Sequence, residues 1–440
     1  MARLRNTPTF EDKDGAQPPL TALVLSGGGA RGAYEAGVIH YIRTQLPREI
    51  AEATLFQVYS GTSVGGINSA FLASTAADPV FQGARLRTLW RDLRDIDIYR
   101  TDAHALAGFL IKTGFFAATN FMGLYRVIEK KLGSVSSFPF RGILDTTPFV
   151  HYLRRNIYWK QIHRNIQHRV IDALTVTATH MLSGRSVAFV EKHPSRAFHA
   201  GDAVPVFTEI SPKHILGSAA VPVIFPLIRI DNQYFGDGSL RQNTPLNPAL
   251  HVGAGRVLIV SLFKSPDPEE TGSDVFAPAG VEPSLGSISG QLLNSLFLDK
   301  LDFDMQQLRR INYLLNDMRA VFGEDALERL NARRAGLAIP GKTLSALRDI
   351  QAFVITPSER IGRIAGHHLQ RLLRETPVLS PVQRFFQKVV EGSPDGENDL
   401  VSYLLFNREY LEDLISLGYG DAHKAHDHLV NFFTGTPMSP

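Results

Sequence analysis

The chain has 440 residues, 44% of them hydrophobic, enough for one large α/β domain with an appendage or for two or three ordinary domains. A formal net charge of +3 gives no footing for nucleic-acid binding. There is no cysteine, which excludes disulfides, thiolate catalysis and cysteine-held zinc or iron–sulfur sites.

Residues 1–19 are polar, carry two early arginines with no apolar core behind them, and read as a disordered lead-in and not a secretory signal. Leu20 to Leu25 is a short apolar run that passes through a glycine-rich loop into a helix over Ala33–Ile42. A second unit of the same kind follows. Leu55 to Tyr59 is a strand, Gly61 to Gly66 a turn, and a small-residue helix runs to about Ala76. Ala105 to Tyr125 is rich in Phe, Leu and Ala, but Lys112 and Asn120 interrupt it. A membrane span needs roughly 20 predominantly apolar residues, so this stretch reads as a buried or interfacial helical region.

Further strands are expected at Val170–Thr179, Val187–Val190 and Val257–Leu262, with a turn at Ser183-Gly184-Arg185 between the first two. Residues 265–290 shift to Pro, Gly, Ser and acidic side chains and read as a loop or linker. Beyond it, Leu301, Met305, Leu308, Ile311, Leu315, Met318 and Phe322 recur at steps of three and four, as one apolar helix stripe would. Ala352 to Ile355 is one more strand, a candidate to rejoin the main sheet. The rest reads as helical, ending with Glu409–Leu417 and Ala422–Phe433 on either side of a Gly-Tyr-Gly break.

Strands alternating with helices predict a three-layer α/β fold, a mostly parallel sheet covered on both faces, with a C-terminal helical extension. The expected division is 1–19 lead-in, 20–264 catalytic domain, 265–290 linker and 291–440 helical region.

Three motifs carry chemistry. Gly27-Gly28-Gly29-Ala30-Arg31-Gly32 lies between the first strand and the first helix. Glycines there allow positive φ and close backbone approach, and free N–H groups at the helix start face an anion. A phosphate site, an oxyanion hole and a merely structural turn all fit. The dinucleotide version needs a carboxylate at the end of the second strand, and Leu55 to Ser60 has none. A Walker loop needs Gly-Lys-Ser/Thr, which is absent.

Gly61-Thr62-Ser63-Val64-Gly65 matches the G-x-S-x-G nucleophile elbow in its required strand-to-helix setting. The turn is so sharp that side chains two residues before and after the serine would collide, hence the glycines. Asp237, in Gly236-Asp237-Gly238-Ser239, reads alone as a turn, but a serine nucleophile needs a base within reach.

Glycine loop, GTSVG and Asp-Gly turn, in that order, resemble the patatin-like phospholipase family. So do Ser218-Ala219-Ala220-Val221-Pro222 with Phe225-Pro226, and the Ala178–Phe189 stretch. The resemblance covers roughly residues 20 to 262. Its third motif departs: the family has Asp-Gly-Gly or Asp-Gly-Ala where this chain has Asp-Gly-Ser.

The resemblance implies a Ser–Asp dyad without histidine, with Ser63 as nucleophile and Asp237 as proton acceptor. It implies an oxyanion hole from the glycine loop, Gly27, Gly28, Gly29 and Gly32, around Gly28 and Gly29 above all. Gly61 and Gly65 flank the elbow, Gly238 and Ser239 complete the Asp-Gly motif, and Arg31 is a candidate phospholipid head-group contact. The substrate is a lipid ester, phospholipid or lysophospholipid in the first place. No metal or organic cofactor is implied, and no nucleic-acid partner.

The implied setting is cytoplasmic, with peripheral membrane contact. Phe109, Phe115, Phe116, Phe121 and Met122, among Arg100, Lys112, Arg126, Lys130 and Lys131, suit an acyl-chain wall or membrane-facing cap, and equally a helical core. His423, His426 and His428 do not share one helical face and read as solvated. His214 is uncommitted. His251 would complete a Ser–Asp–His order in a competing α/β-hydrolase reading. A non-catalytic lipid-binding scaffold of the same fold is the second competitor, and a nucleotide-binding protein the third.

Overall fold

The computed structural model describes residues 20–100, 144–199, 201, 203–222, 224–264, 301–335, 346–375 and 399–435. The lead-in, the 265–290 linker and the Phe109–Lys131 stretch lie outside these residues.

β1 (Leu20–Leu25) runs through the glycine loop into α1 (Gly32–Gln45), and a one-turn α2 (Arg48–Ala51) precedes β2 (Val58–Thr62). β2 turns at Ser63 into α3 (Val64–Ser74). Among the described residues α4 (Pro79–Arg91), α5 (Asp95–Ile98), α6 (Thr147–Asn156) and α7 (Trp159–Gln167) follow. Then come β3 (Ala173–His180), β4 (Ser186–Lys192), β5 (Val204–Phe207), α8 (Pro212–Ser218), β6 (Ile228–Ile230) and β7 (Gln233–Asp237). α9 (Leu246–Val252) leads to β8 (Ala254–Val260), α10 (Leu301–Phe322), α11 (Ala326–Ala335) and β9 (Gln351–Ile355). The chain closes with α12 (Ile361–Glu375), α13 (Asp399–Leu404), α14 (Arg408–Lys424) and α15 (His426–Thr434).

The strands form one sheet in the order β5-β4-β3-β2-β1-β8-β9, with β6 and β7 off this path. Its centre is parallel, β3-β2-β1-β8-β9, and β4 and β7 run antiparallel to β3.

Alternate side chains of a strand face opposite sides, and here both sides are dry. Leu23 and Leu25 of β1 and Leu258 and Val260 of β8 join the larger core with α1, α3 and α14. Ala22, Val24, Val257 and Ile259 point the other way, onto α9 and the start of α10. This is the mostly parallel, doubly covered sheet expected from the strand–helix alternation.

Several elements differ from the sequence reading. β5, β6 and β7 were not foreseen, being short and half-exposed. α14 runs unbroken through the expected Gly-Tyr-Gly break. A Cβ on Gly418 would run into the Tyr34 carbonyl, and one on Gly37 into the Ile415 carbonyl. Those glycines let α1 and α14 cross backbone to backbone. In α10, Leu301, Met305, Leu308 and Leu315 are buried, whereas Ile311 and Phe322 are exposed. At about 100° per residue Ile311 lies about 80° and Phe322 about 60° around the helix from Leu301, against about 40° for Leu315, so the expected stripe is wider than the face the core covers.

Candidate active site

The site forms where β1, β2 and β3 end. β1 and β2 are parallel, with Leu25 opposite Gly61, so the glycine loop and the Ser63 turn leave the same sheet edge side by side. β3 outlasts β2. After Thr62 pairs with Thr177, the next β3 residue, Ala178, pairs with Asp237 of β7. One strand thus serves as a rail on which the ends of β2 and β7 meet.

Ser63 sits at φ 54°, ψ −121°, in left-handed space. Such a non-glycine conformation costs about 1–3 kcal/mol and persists only where the surroundings enforce it. Here a Cβ on Gly61 would strike the Gly65 carbonyl, and one on Gly65 the Leu25 carbonyl. The Ser63 N–H donates to Ser218 Oγ at 2.8 Å, and that hydroxyl donates to the Thr177 carbonyl at 2.6 Å. Ser218 therefore fixes the strained turn to β3.

The Ser63 hydroxyl donates to Asp237 Oδ2 at 2.7 Å, and the other carboxylate oxygen accepts the Ser239 N–H at 2.8 Å. Asp237 is fully buried. Burial raises its carboxyl to about 6, against hydrogen bonds from the Ser239 backbone N–H and the Ser63 hydroxyl. Gly238 is required because a Cβ there would strike the Thr177 carbonyl. Ser239, the departure from the family motif, is buried with its hydroxyl against the Cα face of Gly27.

In the loop itself, Gly27 N–H donates to the Asn243 carbonyl at 3.1 Å, and Gly32 N–H is taken by the carbonyls of Ala30 and Gly29. Those two donors are thus engaged within the fold, contrary to the expectation of four oxyanion donors. No backbone acceptor among the described residues takes Gly28 or Gly29 N–H. Gly29 needs φ +56°, and a side chain there would meet the Tyr403 carbonyl.

A network braces the loop from beneath. Asn68 Nδ2 donates to the Gly32 carbonyl at 3.2 Å and to Glu35 Oε2 at 2.7 Å, while Trp90 Nε1 donates to Asn68 Oδ1 at 2.8 Å. Burial pushes the Glu35 carboxyl well above the usual carboxylate range, despite the Asn68 amide.

Arg31 differs from the head-group expectation. It is 3% exposed. Its Nε donates to Ser402 Oγ at 2.7 Å, and its guanidinium lies 4.2 Å from the Tyr403 ring centroid and 5.3 Å from that of Phe263. It clamps the C-terminal region onto the glycine loop.

The histidines lie apart from Ser63. His251 ends α9, just before β8 begins. β8 and β2 point the same way through β1, so His251 stands at the opposite edge of the sheet, about 20 Å from the serine by strand length. A Ser–Asp–His triad through His251 is therefore ruled out. His214 is buried against Phe189, ring centroids 4.7 Å apart, and burial lowers it to about 4. His423 and His426 converge through Nδ1 on the Tyr41 hydroxyl, at 3.1 and 2.8 Å, so they are not simply solvated. No metal-type cluster of His, Asp and Glu occurs among the described residues. Among those residues, no helix is long and apolar enough to cross a membrane.

An open cavity begins at Ser63 and Gly29. Its walls are almost wholly apolar, with Trp90, Phe149, Val221, Phe225, Tyr403 and Phe406 among them. No motif marks these walls, which come from elements scattered along the chain. Ser218 was visible only as part of a motif, not in its role.

A mostly parallel α/β sheet thus carries a strained serine at its carboxyl edge, hydrogen-bonded to a buried aspartate. Residues 23–250, just over half the chain, match the patatin-like phospholipase family, and the chain belongs to that family. It is similar to a protein of Pseudomonas aeruginosa (strain BWHPSA011 / Pa011) named cGAMP-activated phospholipase, 31% identical over 237 residues. That match spans 53% of this chain and 56% of the relative's length. Two solved structures align more remotely. VipD from Legionella pneumophila is 13% identical, with a TM-score of 0.29, over 91% of this chain and 67% of VipD. Human GIVD cytosolic phospholipase A2, complexed with methyl gamma-linolenyl fluorophosphonate, is 11% identical, with a TM-score of 0.34, over 95% and 59%. The family assignment rests on the 23–250 match alone.

Proposed function

We propose that this chain hydrolyses fatty-acyl esters of lipids, phospholipid or lysophospholipid, through a Ser63–Asp237 dyad. The observation that carries the reading is the 2.7 Å hydrogen bond from the hydroxyl of a strained serine to a fully buried carboxylate raised to about 6. A base of that pKa is unprotonated at neutral pH and still basic enough to take a proton.

Ser63 Oγ attacks the ester carbonyl while Asp237 Oδ2 takes its proton. The tetrahedral oxyanion is met by Gly28 and Gly29 N–H, and the dipole of α3 favours negative charge at its start. Collapse breaks the ester bond, and the Asp237 proton goes to the departing alcohol. Water, giving its proton to Asp237, then attacks the acyl-serine, and the released Ser63 oxygen recovers that proton. Fatty acid and alcohol leave with atoms and charge balanced.

The apolar cavity beginning at Ser63 supports an acyl chain as the buried part of the substrate. The name of the Pseudomonas relative supports a phospholipid. The expected cytoplasmic setting, with peripheral membrane contact, belongs to the same reading.

The test is hydrolysis of p-nitrophenyl esters and phospholipid vesicles by wild type, Ser63→Ala and His251→Ala. Turnover by wild type and His251→Ala, with a loss of at least 1000-fold in Ser63→Ala, is the expected pattern. A folded wild type without turnover would return the chain to a lipid-binding scaffold. A comparable loss in His251→Ala would sink the dyad.

A further inference from the structure

The family match ends at residue 250, yet the Ser63 cavity is completed by residues more than 150 positions later. Tyr403, Leu404 and Phe406 belong to α13 and the turn after it. We propose that this segment is the specificity wall for the acyl chain: it sets the length of fatty-acyl group the site accepts. The proposal rests on the ester-hydrolase reading above and adds which part of the chain chooses the substrate.

The segment is fixed at both ends of its contact. At the reacting end, its Tyr403 carbonyl lies against the Cα of Gly29, where any side chain would collide. Arg31 holds the same place, through the Ser402 hydroxyl and the Tyr403 ring. Further along, Tyr99 OH donates to the Leu404 carbonyl at 3.2 Å, and the Tyr99 and Phe406 rings meet edge to face with centroids 6.4 Å apart. Tyr410 OH donates to the Ser402 carbonyl at 3.1 Å, tying the turn to α14.

A wall held by this many bonds does not yield to a longer chain. Tyr403 stands beside the loop that would meet the carbonyl, and Phe406, three residues on, lines the same cavity against Tyr99, so the proposal puts it beside more distant methylenes. Side-chain volume at 404 and 406 therefore acts on chain length and leaves the carbonyl end in place. Each methylene denied a buried site costs about fourfold in affinity.

The experiment compares kcat/KM for p-nitrophenyl butyrate, octanoate, laurate and palmitate in wild type, Leu404→Trp and Phe406→Ala. Leu404→Trp is expected to lower the laurate-to-butyrate ratio at least tenfold. Phe406→Ala is expected to move the preference the opposite way, raising the palmitate-to-octanoate ratio. A short-chain fluorophosphonate that labels Ser63 in each variant shows that the site is still assembled. If Leu404→Trp does not fold, Phe406→Ala decides alone. Labelled variants with the wild-type ratios would overturn the wall while leaving the ester hydrolase standing. A wild type that turns over no ester would overturn the hydrolase reading and the wall with it.

Discussion

Asp237 is the residue on which the chemistry and the cost of the site converge. Its carboxyl sits at about 6, lifted by burial from an ordinary value of 3.8. The proposed dyad needs it unprotonated as the base, so kcat/KM is expected to be level above pH 6 and to fall about tenfold per unit below it. For stability the sign is the opposite. The folded state keeps the proton up to about pH 6, whereas the unfolded chain releases it near pH 4. Folding is therefore favoured at low pH and loses about 3 kcal/mol as pH rises through that window. Asp237→Asn keeps a carbonyl for the Ser239 N–H and removes the charge. Melting temperatures should thus show the variant more stable than wild type at pH 7.5, with the gap closing towards pH 4, and hydrolysis lost. Identical melting at both pH values would mean that Asp237 is not held above its ordinary range. Ser63, Asp237 and the glycines of their turns were legible in the sequence because each lies in a short motif whose spacing is set by local sterics. Arg31 was not. Its position in the glycine loop was plain, but the partners that bury it, Ser402 and Tyr403, are some 370 residues away and carry no motif.

Among the elements, the crossing of α1 and α14 shows why local signals misled. Gly418-Tyr419-Gly420 reads as a helix break because glycine is a poor helix former. Packing reverses that reading: Gly418 lies where a Cβ would strike the Tyr34 carbonyl, and the helix continues through it. The Tyr34 hydroxyl then donates to Asp421 Oδ2 at 3.2 Å, three residues past the contact. The two effects predict opposite outcomes for Gly418→Ala. Helix propensity alone gives a gain of about 1 kcal/mol. The crossing gives a loss of 2 kcal/mol or more, since two helix backbones must part. Denaturant unfolding should show the loss, and a more stable Gly418→Ala would contradict the crossing. Gly420→Ala, where a Cβ meets nothing within 4 Å, serves as the control and should be neutral or stabilising. β7 escaped the sequence reading for a related reason. It is five residues long and half-exposed at its start, and only pairing with β3 makes a strand of what reads as an Asp-Gly turn.

Taken whole, the molecule does not divide where the composition shifts. Residues 265–290 read as a linker between a catalytic domain and an extension. The strand expected at Ala352–Ile355 does rejoin the sheet, as β9 beside β8, and Leu411, Leu414, Ile415 and Phe432 lie in the same core as Leu23 and Tyr34. Cutting the chain after residue 264 would expose the α14-facing side of α1 and remove one wall of the Ser63 cavity. Such a fragment is expected to be insoluble or molten, by heteronuclear NMR dispersion, although it contains every motif of the family. A well-dispersed, active fragment would show that the C-terminal part is dispensable. The parallel sheet and its order of strands and helices were legible because hydrophobic alternation is local. The shared core was not, since nothing in a helical pattern says which face of the sheet it will cover.

The decisive measurement is covalent labelling by a fluorophosphonate of purified full-length wild type, Ser63→Ala and Asp237→Asn, with melting curves confirming that each is folded. An activated serine paired with Asp237 predicts strong labelling of wild type, none of Ser63→Ala, and at least a 100-fold slower reaction in Asp237→Asn. Undiminished labelling in Asp237→Asn, or a folded wild type that does not react even with vesicles present, would contradict it.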